Sequence, residues 1–233
     1  MKFKIYTLSW NNNDPRMVEN HKKVFEHFNL PINYTFENLH HGEWMDSILR
    51  TSDADVMVFF DFDCVPLSRE AVEEAVEYAK NGYLVGNAQV TNCISSKHDL
   101  FCAPCFLAIS KNYYEQIGKP SCVNNHRSDI AQELTRAAIQ YEKRIKMYFP
   151  ISFQSPSELS GLWRLSGYGY FAIGTIFDNK TYHLAQGRLS KNVDLFVETC
   201  NYILNNENDK IKRTYDCKKE WMNIFPIEND YGH

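Results

Sequence analysis

Apolar runs alternate with helix-period segments along most of the chain, the pattern of an α/β domain. "KFKIYTLSW" (2–10) predicts a first strand, and the polar "NNND" after it a turn. Asp14 then caps a helix that opens with Pro15, whose missing N–H costs nothing at that position. Met17, Val18, Val24, Phe25 and Phe28 form the apolar stripe of that helix. Leu30-Pro31 ends it, and "INYTFENL" (32–39) predicts a second strand. Residues 43–51 predict a short helix with Trp44, Ile48 and Leu49 inward. A third strand lies in "DADVMVFFDFDCVP" (53–66), where Ala54 to Phe60 are apolar except for Asp55 and run straight into Asp61-Phe62-Asp63. Ser68 caps the next helix, in which Val72, Ala75, Val76 and Ala79 recur at helical spacing. Asn81-Gly82 ends that helix, and "YLVG" (83–86) predicts a fourth strand.

The second half is less regular. Residues 87–105 show weak periodicity and read as a loop leading into the strand "FLAIS" (106–110). Ser128 precedes a helix whose face, Ile130, Leu134, Ala137, Ala138, Tyr141 and Ile145, would run for about four turns. After "KMYFP", the Gly-rich "GLWRLSGYGYFAIG" (161–174) predicts strands and tight turns. A last helix spans about 192–204, with Val193, Phe196, Val197 and Cys200 buried. Residues 205–233 read as a polar, mixed-charge C-terminal extension. With no internal repeat and no linker, the expectation is one domain over 1–233.

At 233 residues the chain can bury a sizeable core. A net charge of -4 argues against a broad electrostatic grip on nucleic acid, which calls for an excess of Lys and Arg. No stretch approaches the roughly 18 apolar residues of a membrane span, and Met1 to Trp10 lacks the apolar core of a signal peptide, so the expected compartment is the cytoplasm. Seven Cys, an odd number, favour reduced thiols. Cys102-Ala-Pro-Cys105 has C-x-x-C spacing, with Cys93, His98 and Cys122 nearby. A structural zinc site offers a second closely spaced pair and none is present, so packed thiols are expected.

The chemistry concentrates at Asp61 and Asp63. Side chains at the carboxyl end of a strand in an open α/β sheet face the crevice where ligands bind. Alternation about Phe62 predicts both carboxylates on one side of the strand. Two like charges that close repel unless a cation sits beside them, so Mg²⁺ or Mn²⁺ is expected. The plainer reading is that both simply cap a turn before Pro66. Two enzyme classes use a hydrophobic strand ending in D-x-D. One is a metal-dependent glycosyltransferase, in which the cation stabilises charge on a diphosphate leaving group. The other is a phosphatase of the haloacid dehalogenase type, with Asp61 as nucleophile and Asp63 as its acid/base partner. The phosphatase motif ends a first strand and needs a later acidic pair. Here two strands and two helices precede it, and no D-D or G-D-x-x-x-D follows.

The block "HGEWMDSILRTSDADVMVFFDFDCVPLSREAVEEAVEYAKNGYLVG" (41–86) resembles the GT-A glycosyltransferases, with their H-G-x-x-L-D helix, strand, D-x-D, Pro and helix; Met45 stands for the usual Leu. The resemblance covers roughly residues 3–190 and implies a GT-A (Rossmann-like) fold, a mixed, mainly parallel sheet flanked by helices on both faces. It implies transfer of a sugar from a nucleotide-diphosphate sugar to an acceptor hydroxyl of unknown class, whether glycan, small molecule, protein or modified nucleobase. Thr7, Ser9 and Trp10 would hold the nucleotide, with Glu37 on its base. His41, Gly42 and Asp46 would lie beside the donor, and Asp61 and Asp63 would handle ribose, metal and diphosphate. "FCAPCFLAISKNYYEQIG" (101–118) resembles the floor of the sugar site. "HRSDIAQELTRAA" (126–138) is similar to the place where inverting members carry a base, which implies Asp129; a helix N-terminus would keep that carboxylate ionised. "DNKTYHLAQGR" (178–188) resembles the late motif whose His completes the metal shell, implying His183 as ligand and Arg188 on the diphosphate. A non-catalytic GT-A module that binds a nucleotide sugar is the third expectation. Trp163, Tyr168 and Tyr170 suit an acceptor's sugar face but also ordinary packing. Lys210, Lys212, Arg213, Lys218 and Lys219, interrupted by acids, read as a solvated tail.

Overall fold

The structure, a computed structural model, describes residues 2–91, 99–155, 163–165, 168–187, 189–217 and 230–231. Its centre is a seven-stranded sheet of β1 (Phe3–Ser9), β2 (Ile32–Phe36), β3 (Val56–Phe60), β5 (Tyr83–Val90), β6 (Leu100–Ser110), β7 (Arg144–Tyr148) and β14 (Asp230–Tyr231), in the order β14-β7-β5-β6-β3-β1-β2. β1, β2, β3, β5 and β7 run one way; β6 and β14 run against them. The sheet is therefore mixed and mainly parallel. A second, antiparallel sheet of β4 (Cys64–Pro66), β8 (Pro150–Phe153), β11 (Thr175–Phe177), β12 (Thr181–His183) and β13 (Tyr215–Asp216) has the order β13-β8-β11-β12-β4. β9 (Trp163–Arg164) and β10 (Tyr170–Phe171) form a small hairpin.

Helices cover both faces of the large sheet, which is why β3 is apolar at every position and buried throughout. Val56, Val58 and Phe60 pack with α1 (Pro15–His27), α3 (Arg69–Lys80), α6 (Ser190–Leu204) and the second sheet. Met57 and Phe59 face α2 (His41–Thr51), α4 (Lys111–Gln116) and α5 (Gln132–Gln140). The Asp14 carboxylate accepts from the Arg16 N–H at 2.9 Å, and the Ser68 hydroxyl from the Ala71 N–H at 3.2 Å, so both expected caps form. Among the described residues no helix is long and apolar enough to cross a membrane.

Three expectations need correction. The stretch 87–105 is not all loop: β5 continues to Val90 and β6 starts at Leu100. Their pairing slips after Gly86, from Leu107 opposite Gly86 to Ala103 opposite Asn87, and this bulge erases the two-residue period. The helix expected to run on to Ile145 stops at Gln140. Glu142 turns left-handed at φ 51°, and the N–H groups of Glu142 and Lys143 close on the carbonyls of Ile139 and Ala138, a Schellman end without glycine. Ile145 belongs to β7. The C-terminal extension is not simply solvated, since β13 joins β8, Tyr215 stacks on Phe153 at 4.6 Å, and Cys217 is buried beside Phe153 and Ala172. Lys218 and Lys219 lie outside the described residues.

Candidate metal centre

β3 ends at Phe60, so the carboxylates do not share a strand face as alternation predicted. The Asp61 N–H still bonds the Cys105 carbonyl of β6 at 3.0 Å, and the Cys64 N–H closes a turn onto the Asp61 carbonyl at 3.0 Å. The chain then leaves the large sheet for the second one as β4. Antiparallel pairing of β4 with β12 sets His183 opposite Cys64, and the Leu184 N–H bonds the Asp63 carbonyl at 2.9 Å. This crossing between sheets brings one ligand atom each of Asp61, Asp63 and His183 within 4.8 Å of one another. Metal–oxygen bonds of about 2.1 Å place donors up to roughly 4.2 Å apart across an octahedral Mg²⁺, so the triad needs only a small closure. Two carboxylates and an imidazole also suit Mn²⁺.

The chain beyond β12 completes the floor. Ala185 and Gln186 both adopt φ 51°, a left-handed pair costing on the order of 1 kcal/mol or more each. They turn the backbone so that the Gly187 N–H reaches Asp63 Oδ2 at 3.3 Å. A Cβ on residue 187 would lie 2.6 Å from that oxygen, so only glycine fits. From the other side, the N-terminus of α2 presents His41, whose Nε2 is 3.5 Å from Asp61 Oδ1. Gly42 and Asp46 have a different task. A Cβ on Gly42 would strike the Cys122 carbonyl at 2.6 Å, and buried Asp46 accepts from the Cys122 N–H at 2.7 Å and the Ser121 hydroxyl at 2.6 Å. Both fasten residues 121–123 onto α2.

Burial alone would push the Asp63 carboxyl up, but His183 and the Gly187 N–H outweigh it and hold its pKa low. Burial likewise opposes charge on His183. Cys105 and Asp63 outweigh it and raise the imidazole well above its usual 6.5. Beneath the turn, His21 of α1 is fully buried, with Nδ1 2.7 Å from the Tyr34 hydroxyl, and burial depresses its pKa to about 4.

These groups floor a cleft of about 590 Å³. Its polar side is Asp61, Asp63, His183, Gln89, Gln186 and Gly187; its other walls are Leu8, Trp10, His40, His41, Phe62, Val90, Ile130, Trp163, Phe171, Ala185 and Leu189. Of the sequence-predicted residues, Trp10, His41, Asp61, Asp63 and His183 meet there. Thr7 and Ser9 do not, because alternation along β1 turns Leu8 to the cleft; Thr7 is wholly buried and Ser9 accepts from Asn13 Nδ2 at 3.1 Å. Glu37 is exposed just past β2, which ends at Phe36, and does not line the cleft. Nor does Asp129: its carboxylate takes the Ile130 N–H and its own N–H bonds Gln132 Oε1, both at 2.8 Å, leaving Ile130 in the wall. Arg188 lies outside the described residues.

Sequence reasoning missed Gln89, His40, Gln186 and Phe171. Asn87 and Gln89 alternating with Ala88 and Val90 were the available signal for a longer β5. Trp163 and Phe171 stack at 5.1 Å across the β9–β10 hairpin, whereas Tyr168 packs on Phe149. Among the described residues no cysteine joins a metal-binding group. Cys102 and Cys105 point into opposite halves of the core, which fits packed thiols; Cys93 and His98 lie outside the described residues.

Fold and site together define a mixed α/β protein with an Asp-Asp-His candidate metal centre at the floor of a cleft. No family model and no curated protein matches the chain. Solved structures similar to it include A197 from STIV, at 12% identity and a TM-score of 0.45 over 79% of this chain and 94% of that one. Another is the mannosyltransferase PcManGT from Pyrobaculum calidifontis in complex with GDP-Man and Mn²⁺, at 10% identity and a TM-score of 0.40 over 60% of this chain. A third is TarS from S. aureus, at 10% identity and a TM-score of 0.40 over 63%. The chain spans 52% and 58% of the lengths of the latter two.

Proposed function

We propose that the protein is a metal-dependent glycosyltransferase of GT-A type, moving a sugar from a nucleotide-diphosphate sugar to an acceptor hydroxyl. The observation that carries this reading is the convergence of Asp61, Asp63 and His183 on the floor of the cleft. Mg²⁺ or Mn²⁺ held by Asp63, His183 and Asp61 would supply positive charge to the leaving diphosphate. The chain's own part is to fix Asp63 through the Gly187 N–H, to present His41 beside Asp61, and to offer Trp10 and Leu8 as a wall for the donor. The acceptor would enter along Trp163 and Phe171. The phosphatase reading fits less well: Asp63, its acid/base partner, is nearly buried against His183 and Gly187.

A second reading, a module that binds a nucleotide sugar without transferring it, is favoured by one observation: Asp129, the expected base, is held by its own helix start. A thermal-shift screen of nucleotide sugars with and without Mn²⁺ tests both, because a ligand that binds only the folded state raises its melting temperature. We expect a shift with at least one donor, dependent on metal, accompanied by transfer or slow hydrolysis. Binding without turnover would select the module; no shift with any donor would sink both.

A further inference from the structure

We propose that Gln186 recognises the transferred sugar: its side-chain oxygen accepts a hydrogen bond from a hydroxyl of the nucleotide sugar in the cleft. The role rests on the glycosyltransferase reading above and adds to it a contact with the sugar itself. Gln186 lines the cleft in the turn between β12 and α6. Before it in that turn stands His183, a member of the metal-binding group; after it, the Gly187 N–H bonds Asp63 Oδ2 at 3.3 Å. A side chain anchored between those two contacts stands beside the place where a diphosphate would meet the cation.

The backbone of Gln186 serves the fold without its amide. Its carbonyl accepts from the Leu189 N–H at 3.0 Å and from Asn192 Nδ2 at 3.2 Å, bonds that any side chain at 186 would allow. Its φ of 51° is left-handed, a conformation that glycine or asparagine adopts at lower cost than glutamine. The side-chain Oε1 is buried and has no hydrogen-bond partner. Such an acceptor has given up water and gained nothing in return. Strain and an unpaired polar atom thus coincide in one residue of the cleft, and costs of this kind gather where a ligand offsets them. The last torsion of a glutamine is soft, so the oxygen can turn to a group in the cleft while the backbone stays in place. An amide oxygen only accepts. Phosphate oxygens accept as well and repel it, whereas a sugar hydroxyl donates.

The test uses the full chain saturated with Mn²⁺. Calorimetry gives Kd for UDP-glucose, UDP-galactose and GDP-mannose, each beside UDP or GDP alone, with circular dichroism as a folding control. The wild type should bind at least one of these sugars more tightly than its nucleoside diphosphate. Gln186→Leu should cut that preference by about 3- to 10-fold, the worth of one hydrogen bond, and leave UDP, GDP and Mn²⁺ affinities within about twofold. Gln186→Ala, which needs no space for a branched side chain, should lose the same preference. The ligand-free Gln186→Leu chain, relieved of its unpaired acceptor, should melt about 2–4 °C higher than wild type. An undiminished preference in both variants, or a wild type that prefers no sugar to its diphosphate, overturns the inference and leaves the metal centre standing. So does an equal loss for sugar and diphosphate, which would assign the bond to a water on the cation, or a lowered melting temperature in both variants, which would make the amide part of the packing. A wild-type chain that binds neither the nucleotide sugars nor UDP and GDP with Mn²⁺ overturns the glycosyltransferase reading itself.

Discussion

The site contains two histidine–aspartate pairs of the same length and unlike surroundings. His183 and Asp63 meet at 3.5 Å with side chains 10% and 9% exposed; His41 and Asp61 meet at 3.5 Å with side chains 17% and 27% exposed. The inner pair sits where the chain has crossed to the second sheet, is braced by the Gly187 N–H and loses little to competing water. The outer pair joins a helix start to the open mouth of the cleft, where water and ligand both compete for it. Distance alone would rank them equal. Burial and bracing make the inner pair the anchor and the outer one adjustable.

Single substitutions should separate the pairs most sharply. Asp63→Asn and His183→Ala should each weaken Mn²⁺ by 100-fold or more in calorimetry, and His41→Ala by less than about tenfold, since losing a ligand exceeds losing its neighbour. An equal loss at His41 would erase the distinction. Gly187→Ala should come next. Its methyl would push Asp63 out of place, costing about 1–3 kcal/mol of stability in denaturant unfolding and weakening metal binding with it. A third measurement varies pH. Proton and cation compete for His183, whose pKa is raised by Cys105 and Asp63 against its burial, so Mn²⁺ should bind more tightly as pH rises from 6.5 toward that raised value. The metal-free pair behaves oppositely: its contribution to folding is full below the unfolded pKa of 6.5 and is lost as pH rises through the raised value. An affinity flat with pH would mean that the ring is not a ligand. The smallest effect is expected at Asp129→Asn, within about tenfold of wild-type turnover, because the carboxylate serves its own helix start; a fall of 10²- to 10⁴-fold would make it the base.

The elements legible in the sequence are those whose period and caps agree: β1, α1, β3 and α3. Asp61, Asp63 and His183 were also legible, because residue type and a preceding strand mark them. Residues that earn their place through a distant partner were not. Nothing local shows that Gly42 makes room for Cys122, that Asp46 holds Ser121, or that a bulge past Gly86 carries Gln89 to His183. Asp129 is ambiguous in sequence for the converse reason, since the same residue type suits a catalytic base and a helix start, and its carboxylate does accept the Ile130 N–H. Alternation gave the right side for Asp61 and Asp63 by the wrong route, a turn replacing the strand.

The pairing of β4 with β12 has one more consequence. Each of these strands has three residues, and their register alone sets His183 opposite Cys64, whereas Asp61 hangs from the long β3 and β6. Short ladders open more readily than long buried ones, so the second sheet should exchange its amide hydrogens through local opening well below the energy of global unfolding. Heat would then inactivate the protein before it melts, as the chain parts at the seam that bears the chemistry while the seven-stranded sheet stays whole.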